Sequence, residues 1–201
     1  MNLIPTNPRR RGFTLVEMIG VLAVIAILAA LLIPKVFSTI NNARITSAAS
    51  SVKTLSTAAV GYIGKYGKYA GVAGAAVTLP VADWDGTVLL KEGFLDKPFD
   101  TQLGTGTDVT LVAVGAAGAV VGSAAGTYDL SGSGVNELAG AAVVELVING
   151  VSITDAEAIN LLVDNATLAS AGAGLTDIKG KCKYAAPTAG VTDVHIYISH
   201  K

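Results

Sequence analysis

The chain opens with a polar, basic stretch, MNLIPTNPRRRG, and then turns apolar for 21 residues, Phe13 to Ile33, in which Glu17 is the only charge. About twenty predominantly apolar residues in a helix span the hydrocarbon core of a bilayer. Beyond Pro34 the pattern changes. Val36, Ile40, Ala43, Ala48, Val52, Leu55, Ala59, Tyr62 and Tyr66 recur at roughly helical spacing, with Asn41, Asn42, Arg44, Ser51 and Lys53 on other faces, which is the pattern of a helix with one buried side. Gly61, Gly64 and Gly67 then thin it out. The spacing predicts a helix from Phe13 to Tyr66, apolar all round in its first half and amphipathic in its second. Only the second half can pack on a globular head.

The rest of the chain is less regular. KYAGVAGAAVTLP has no period and reads as a loop, and Asp83 to Glu92 reads as a short helix with an acidic cap and Gly93 as its stop. Asp96, Pro98 and Asp100 beside Phe99 make a turn. The carboxylates of Asp96, Asp100 and Asp108 lack the ligand alternation of a calcium loop and read as solvated loop acids. DVTLVAVG and TYDL are short β-like runs in glycine-alanine-serine filler, and Ala142 to Ile148 is a stronger strand followed by an Asn149-Gly150 turn. Thr154 to Glu157 form a T-x-x-E capping box for a helix of about ten residues, whose apolar face is Ile159, Leu162, Val163 and Ala166. Two final strands, TDIKGKCKYAA and TDVHIYIS, are joined by a hairpin at Pro187-Thr188-Ala189-Gly190. Alternation in the last one puts His195 on a polar face with Tyr197 and Ser199. Lys179, Lys181 and Lys183 read as a solvated strand edge that discourages aggregation. The expected fold is α+β, a long N-terminal helix packed on a small antiparallel sheet.

Composition narrows the chemistry. The chain is 51% hydrophobic and 14% charged, which excludes disorder. Its 15 acidic and 14 basic residues nearly cancel, so no global field recruits nucleic acid. Cys182 is the single cysteine and His195 and His200 the only histidines, so an internal disulfide and a thiolate metal site are both out of reach. Cys182 is expected to be a small buried apolar residue, with an intermolecular bond as the alternative. No Gly-x-Ser-x-Gly, phosphate loop with lysine, His-x-x-x-His or Cys-x-x-Cys occurs. The expectation is a protein with no catalytic residues, no metal and no cofactor.

The chemistry that stands out is Glu17, because an acidic side chain at membrane depth is disfavoured by about 3 kcal/mol on insertion scales. The next charge on its C-terminal side is Lys35, 18 residues on. A cut after Gly12 would create an α-amino group on Phe13, with a pKa of about 8, four residues before Glu17 in its own chain or facing it from an adjacent one. Arg9, Arg10 and Arg11 hold the N-terminus on the cytoplasmic side. A secretory signal would need a shorter apolar core and an Ala-x-Ala site. A twin-arginine signal fits Arg10-Arg11-Gly12-Phe13 loosely but not Glu17, and an uncleaved membrane anchor satisfies hydropathy alone.

Gly12 followed by FTLVEMIGVLAVIAILAALLIP, after a basic leader, resembles the processing and methylation site of bacterial type IV prepilins and of the pseudopilins of type II secretion and DNA-uptake machines. The resemblance takes in Gly12, Phe13, the Thr14-Leu15 pair, Glu17, the apolar helix and Pro34, and covers roughly the first 45 residues. It implies cleavage between Gly12 and Phe13 by a membrane prepilin peptidase and N-methylation of Phe13. The subunit would be held in the inner membrane, head periplasmic, and then extracted into a helical filament in the periplasm or on the cell surface. An inner-membrane platform protein and an assembly ATPase would drive that step, with Glu17 setting register through the Phe13 amine. It divides the chain into a removed leader (1–12), a membrane and filament-core helix (13–34), its amphipathic continuation (35–66) and a head (67–201). Gly20, Ala23, Ala26 and Ala30 would let helix backbones approach closely, although alanines are also simply good helix formers. Pro34 frees the carbonyl of Ala30 and is expected to kink or weaken the helix. Many type IV pilins close a C-terminal loop with a cysteine pair, and this chain departs from that pattern. The reading from another class is a single-span, membrane-anchored adhesion or binding protein that never polymerises.

Overall fold

The computed structural model describes residues 12–114, 118–169 and 175–201, so the leader expected at 1–12 lies outside the described residues except for Gly12. Helix α1, Leu15–Tyr66, runs for 52 residues and continues through Pro34. The chain divides into two units, Met1–Asn42 and Ala43–Lys201, with α1 contributing to both.

In the first unit the apolar side chains of α1 stay uncovered. Leu15 is 74%, Leu31 71% and Phe37 69% exposed, and the most apolar window of the helix, with a mean hydropathy of 2.8, has none of its residues buried. Val36 and Ile40, expected on the buried stripe, are exposed with them. In the second unit α1 behaves as an amphipathic helix. Ile45, Ala48, Leu55, Ala59 and Tyr62 are buried, with Val52 and Tyr66 packed against the same core. Their spacing alternates three and four, one face of a helix. Ile45 and the buried Ala58 escaped the sequence reading because isoleucine and alanine are frequent on every face of this helix. Gly67 ends α1: its φ is +72°, and its N–H bonds the Ile63 carbonyl at 2.7 Å, the left-handed stop that glycine accepts without strain.

The second unit is built on a four-stranded antiparallel sheet of β1 (Gly106–Ala113), β2 (Ala142–Ser152), β3 (Cys182–Tyr184) and β4 (Val191–His200), in the order β1-β2-β4-β3. Helix α2, Ile153–Leu168, follows β2 directly. One face of the sheet carries Val109, Leu111, Val144, Leu146, Ile148, Cys182, Tyr184, Val194 and Ile196. With Leu55, Ala59 and Tyr62 of α1, Trp84, Leu89 and Ala156 and Ile159 of α2, it forms a single apolar core. The architecture is α+β, as the order of elements predicts. The hairpin between β3 and β4 forms where expected, and Cys182 is a free thiol buried in the core.

Several local expectations are overturned. The Asn149-Gly150 pair does not turn the chain. β2 runs on to Ser152, with Gly150 at φ +63° and the β4 register slipping between Ile148 and Val151, so the pair makes a bulge inside a strand. The cap of α2 is Ser152, whose hydroxyl accepts the Asp155 N–H at 3.2 Å. The cap therefore sits two residues before the expected Thr154, where the extended strand meets the first turn. α2 has 16 residues, interrupted by non-helical Asn165. Leu162 is 55% exposed and Ala166 is exposed, while Asn160 and Asp164 are buried in their place. TYDL is no strand: Asp129 makes a lone bridge to Lys179, and Tyr128 packs on the sheet instead. The helix expected from Asp83 shrinks to one turn, Asp85–Leu89, without a side-chain cap; Gly93 stops it at φ +76°. Asp108 is not a loop acid. It lies in β1 and accepts the Asp83 N–H at 2.9 Å.

The largest departure concerns the second face of the sheet. Alternation placed His195 and Lys183 toward solvent, yet Lys183 is fully buried and His195 only 8% exposed. The irregular segment 118–141 lies over this face, and Tyr128 and Leu138 from it pack with Val112, Val114, Val143 and Tyr197.

Candidate functional site

The first candidate site is the start of α1. Gly12 and Phe13 precede the helix and are exposed, Phe13 by 79%. Thr14 donates its backbone N–H to Glu17 Oε2 at 2.7 Å and its hydroxyl to the same oxygen at 2.8 Å, while the Glu17 N–H bonds Thr14 Oγ1 at 3.2 Å. This is a reciprocal capping box, and it places an acid in the first turn, where the helix dipole favours negative charge. Thr14 is the residue whose role the sequence reading missed. The signal was present as T-x-x-E in Thr14-Leu15-Val16-Glu17, and the same signal was assigned at Thr154. The geometry turns the Glu17 carboxylate back toward Phe13, so a charge inside an apolar run is met by two donors of its neighbour.

The other predicted positions on α1 are exposed. Gly20 would admit a Cβ without meeting another atom. Around Pro34 the helix is unbroken, and one turn on the hydroxyls of Ser38 and Thr39 both donate to the Lys35 carbonyl at 2.9 Å, taking up part of the polar backbone after the proline.

In the second unit, carboxylates fasten loops. Glu92 accepts Lys65 Nζ at 2.9 Å, the Tyr66 hydroxyl and the Ala73 N–H at 2.6 Å. The Tyr66 and Lys65 bonds, aided by Ala73, hold its carboxyl down to about 2. Asp164 on α2 accepts the N–H groups of Lys181 and Cys182 at 2.7 and 2.6 Å. Burial pushes its pKa up against these two bonds. Gly180, at φ +81°, lies so close that any Cβ there would overlap the Asp164 carboxylate. Asp177 accepts Asn160 Nδ2 at 2.7 Å and the Lys179 N–H at 3.0 Å. Asp85, whose pKa burial raises, accepts the Phe99 N–H. The loop into β3 is thus tied to α2 by carboxylate bonds in a chain that has one cysteine.

A groove of about 650 Å³ runs between Arg44, Ser51 and Thr54 of α1 and the loop from Phe94 to Gln102. Asp96 and Asp100 line it, with Arg44 and Lys97; the two acids are exposed, as expected. No histidine or cysteine lies in its wall, so it offers none of the nucleophile and base pairings that these residues make. Among the described residues no group of three His, Cys, Asp or Glu side chains is placed to hold a metal ion.

Residues 7–33 match the prokaryotic N-terminal methylation motif, the hallmark of type IV pilins and pseudopilins. The matched stretch contains the Gly12-Phe13 junction, Thr14, Glu17 and the whole uncovered apolar run. No curated protein and no solved structure matches the chain. Together the motif and the apolar helix fit a pilin-like protein anchored in a membrane.

Proposed function

We propose that the chain is the structural subunit of a type IV pilus-like filament or of a type II secretion pseudopilus. In this reading prepilin peptidase cuts between Gly12 and Phe13 and the new Phe13 amine is methylated. The residues from Phe13 to Pro34 hold the subunit in the inner membrane until a platform protein and an assembly ATPase move it into the filament.

The observation that carries the reading is the methylation motif set on a helix whose apolar side chains the chain itself leaves uncovered. Fully burying one large aliphatic side chain is worth about 1.5–3 kcal/mol, and this helix exposes more than a dozen. Lipid satisfies them before assembly. Neighbouring copies of the same helix satisfy them afterwards, so membrane and filament core are alternative solvents for one surface. Thr14 and Glu17 supply the polar element in that exchange. The capping box screens the carboxylate in lipid, and in the filament the Phe13 amine of a neighbour can bond the same group.

Mass spectrometry of the mature protein, with electron microscopy of sheared cells carrying or lacking the gene, tests this. The expected result is a polypeptide starting at methylated Phe13 and fibres that depend on the gene. A mature protein retaining Met1 to Gly12 and no fibres would favour the non-polymerising, membrane-anchored alternative.

A further inference from the structure

Residues 118–141 contain no lysine, arginine or histidine, and of their apolar side chains Val120, Tyr128 and Leu138 are buried. So sparse an apolar set is weak reason for a segment to lie on a sheet. Hydrogen bonds to Lys183 and Glu145, and one from the Gly180 N–H to the Asp129 carbonyl, hold it there.

Lys183, from β3, reaches up from the sheet. Its Nζ donates to the Val121 carbonyl at 3.1 Å, to the Ala124 carbonyl and to Thr127 Oγ1 at 3.1 Å, and sits 4.6 Å from the centroid of the Tyr128 ring. An ammonium group has three protons, and all three are used. Glu145, from β2, takes the complementary groups: the Gly126 N–H at 2.7 Å and the Tyr128 hydroxyl at 3.0 Å, with His195 Nδ1 of β4 at 3.7 Å. Lys183 thus grips the segment by its acceptors and Glu145 by its donors, between Val121 and Tyr128.

We propose that residues 118–138 form a strap, fastened over the second face of the sheet by Lys183 and Glu145, which opens as a unit. The clasp then sets whether the head presents a further apolar surface, made of Val112, Val143 and Tyr197.

The direction of the proton linkage follows from the groups facing the clasp. Burial lowers the Lys183 pKa to about 8, with Glu145 opposing the shift; an open strap would return the amine to its ordinary 10.5. Closing therefore expels a proton between these values, and the closed form gains as pH rises through that window. Burial alone would raise the Glu145 carboxyl, but the nearby His195 ring and the bonds from Gly126 and Tyr128 outweigh it and hold the group below its ordinary range, so Glu145 favours closure at every pH above that range. Burial raises the Tyr128 and Tyr197 phenols, which keeps both neutral up to their ordinary pKa of 10.0. Local openings of this kind are read by amide exchange.

The test is hydrogen exchange with mass spectrometry on the full chain in detergent micelles at pH 7, 8 and 9, each rate divided by the intrinsic rate at that pH. Peptides from 118–138 should open independently of β2 and β4, and their protection should rise about tenfold from pH 7 to pH 9. In Lys183→Met the protection of the strap should not vary with pH. Strap protection that is flat with pH in the wild type overturns the proposal. So does a strap that exchanges in one step with β4, and neither result depends on the variant folding.

Discussion

One helix obeys two opposite rules. From Leu15 to about Asn42, α1 exposes leucine, isoleucine and valine on every side, and from Ile45 to Tyr66 the same helix buries one face and presents serine, threonine, lysine and glycine on the others. Both halves are helical, and both are rich in alanine. What differs is where the covering surface comes from. The second half finds it in its own chain, in Trp84, Leu89 and the sheet. The first half is left uncovered by its own chain; in the proposed function lipid or other copies cover it, so its side chains would answer to assembly and those of the second half to the stability of the fold.

That division can be broken by substitution, and the largest effect belongs to the second half. Tyr62 is fully buried, edge-on to Trp84 at 5.2 Å between ring centroids, and donates its hydroxyl to the Gly71 carbonyl. Tyr62→Ala should destabilise the head by about 3–5 kcal/mol in chemical denaturation. A loss below 1 kcal/mol would mean that the head does not depend on α1. Glu17→Ala comes next and should act on the other side of the division. Filament yield in sheared fractions should fall more than about tenfold, equivalent to about 1.4 kcal/mol per contact, while the melting of the head stays unchanged. Normal yield from this variant would remove Glu17 from the assembly reading.

Smaller effects sharpen the comparison. Ser152→Ala removes the cap of α2 and should cost the head about 1 kcal/mol, measurable as a shift in its denaturation midpoint. Glu92 adds a pH dependence. Its folded pKa of about 2 lies below the ordinary 4.5, so the stability it contributes is complete above the ordinary value and is lost as pH falls toward the folded one. An acid titration of the head by circular dichroism should show this loss, and Glu92→Gln should flatten it. The smallest expected effect is that of Leu28→Ala, within about 0.5 kcal/mol on the head, although Leu28 is as apolar as Leu55. A larger change in head stability would show that the first half contributes to the fold after all.

How much of this was legible in the sequence depended on whether a residue's environment is set by its near neighbours. The apolar run from Phe13, the strands around Val144 and Ile196, and the interior place of Cys182 follow from local pattern. Alternation along β4 correctly put Ile196 and His195 on opposite faces. It was silent on whether the second face was covered, because Tyr128 and Leu138 reach it from a segment with no period of its own. Lys183 and His195 were therefore read as wet when they are dry. The Asn149-Gly150 pair failed for a related reason: the dipeptide favours a left-handed residue at Gly150, which a bulge needs as much as a turn does, and only pairing with β4 decides between them. At the start of α1 the T-x-x-E signal was present in the sequence, and Thr14 was overlooked because Phe13 and Glu17 explained each other without it.

The buried thiol of β3 has a use that its chemistry dictates. Cys182 faces the apolar core, and burial raises its pKa well above the ordinary value, so the reactive thiolate is scarcely formed while the sheet is closed. Any alkylating reagent that modifies it must wait for the core around it to open. The head therefore carries one built-in stopwatch: the rate at which this sulfur is consumed reports how often the core around it opens.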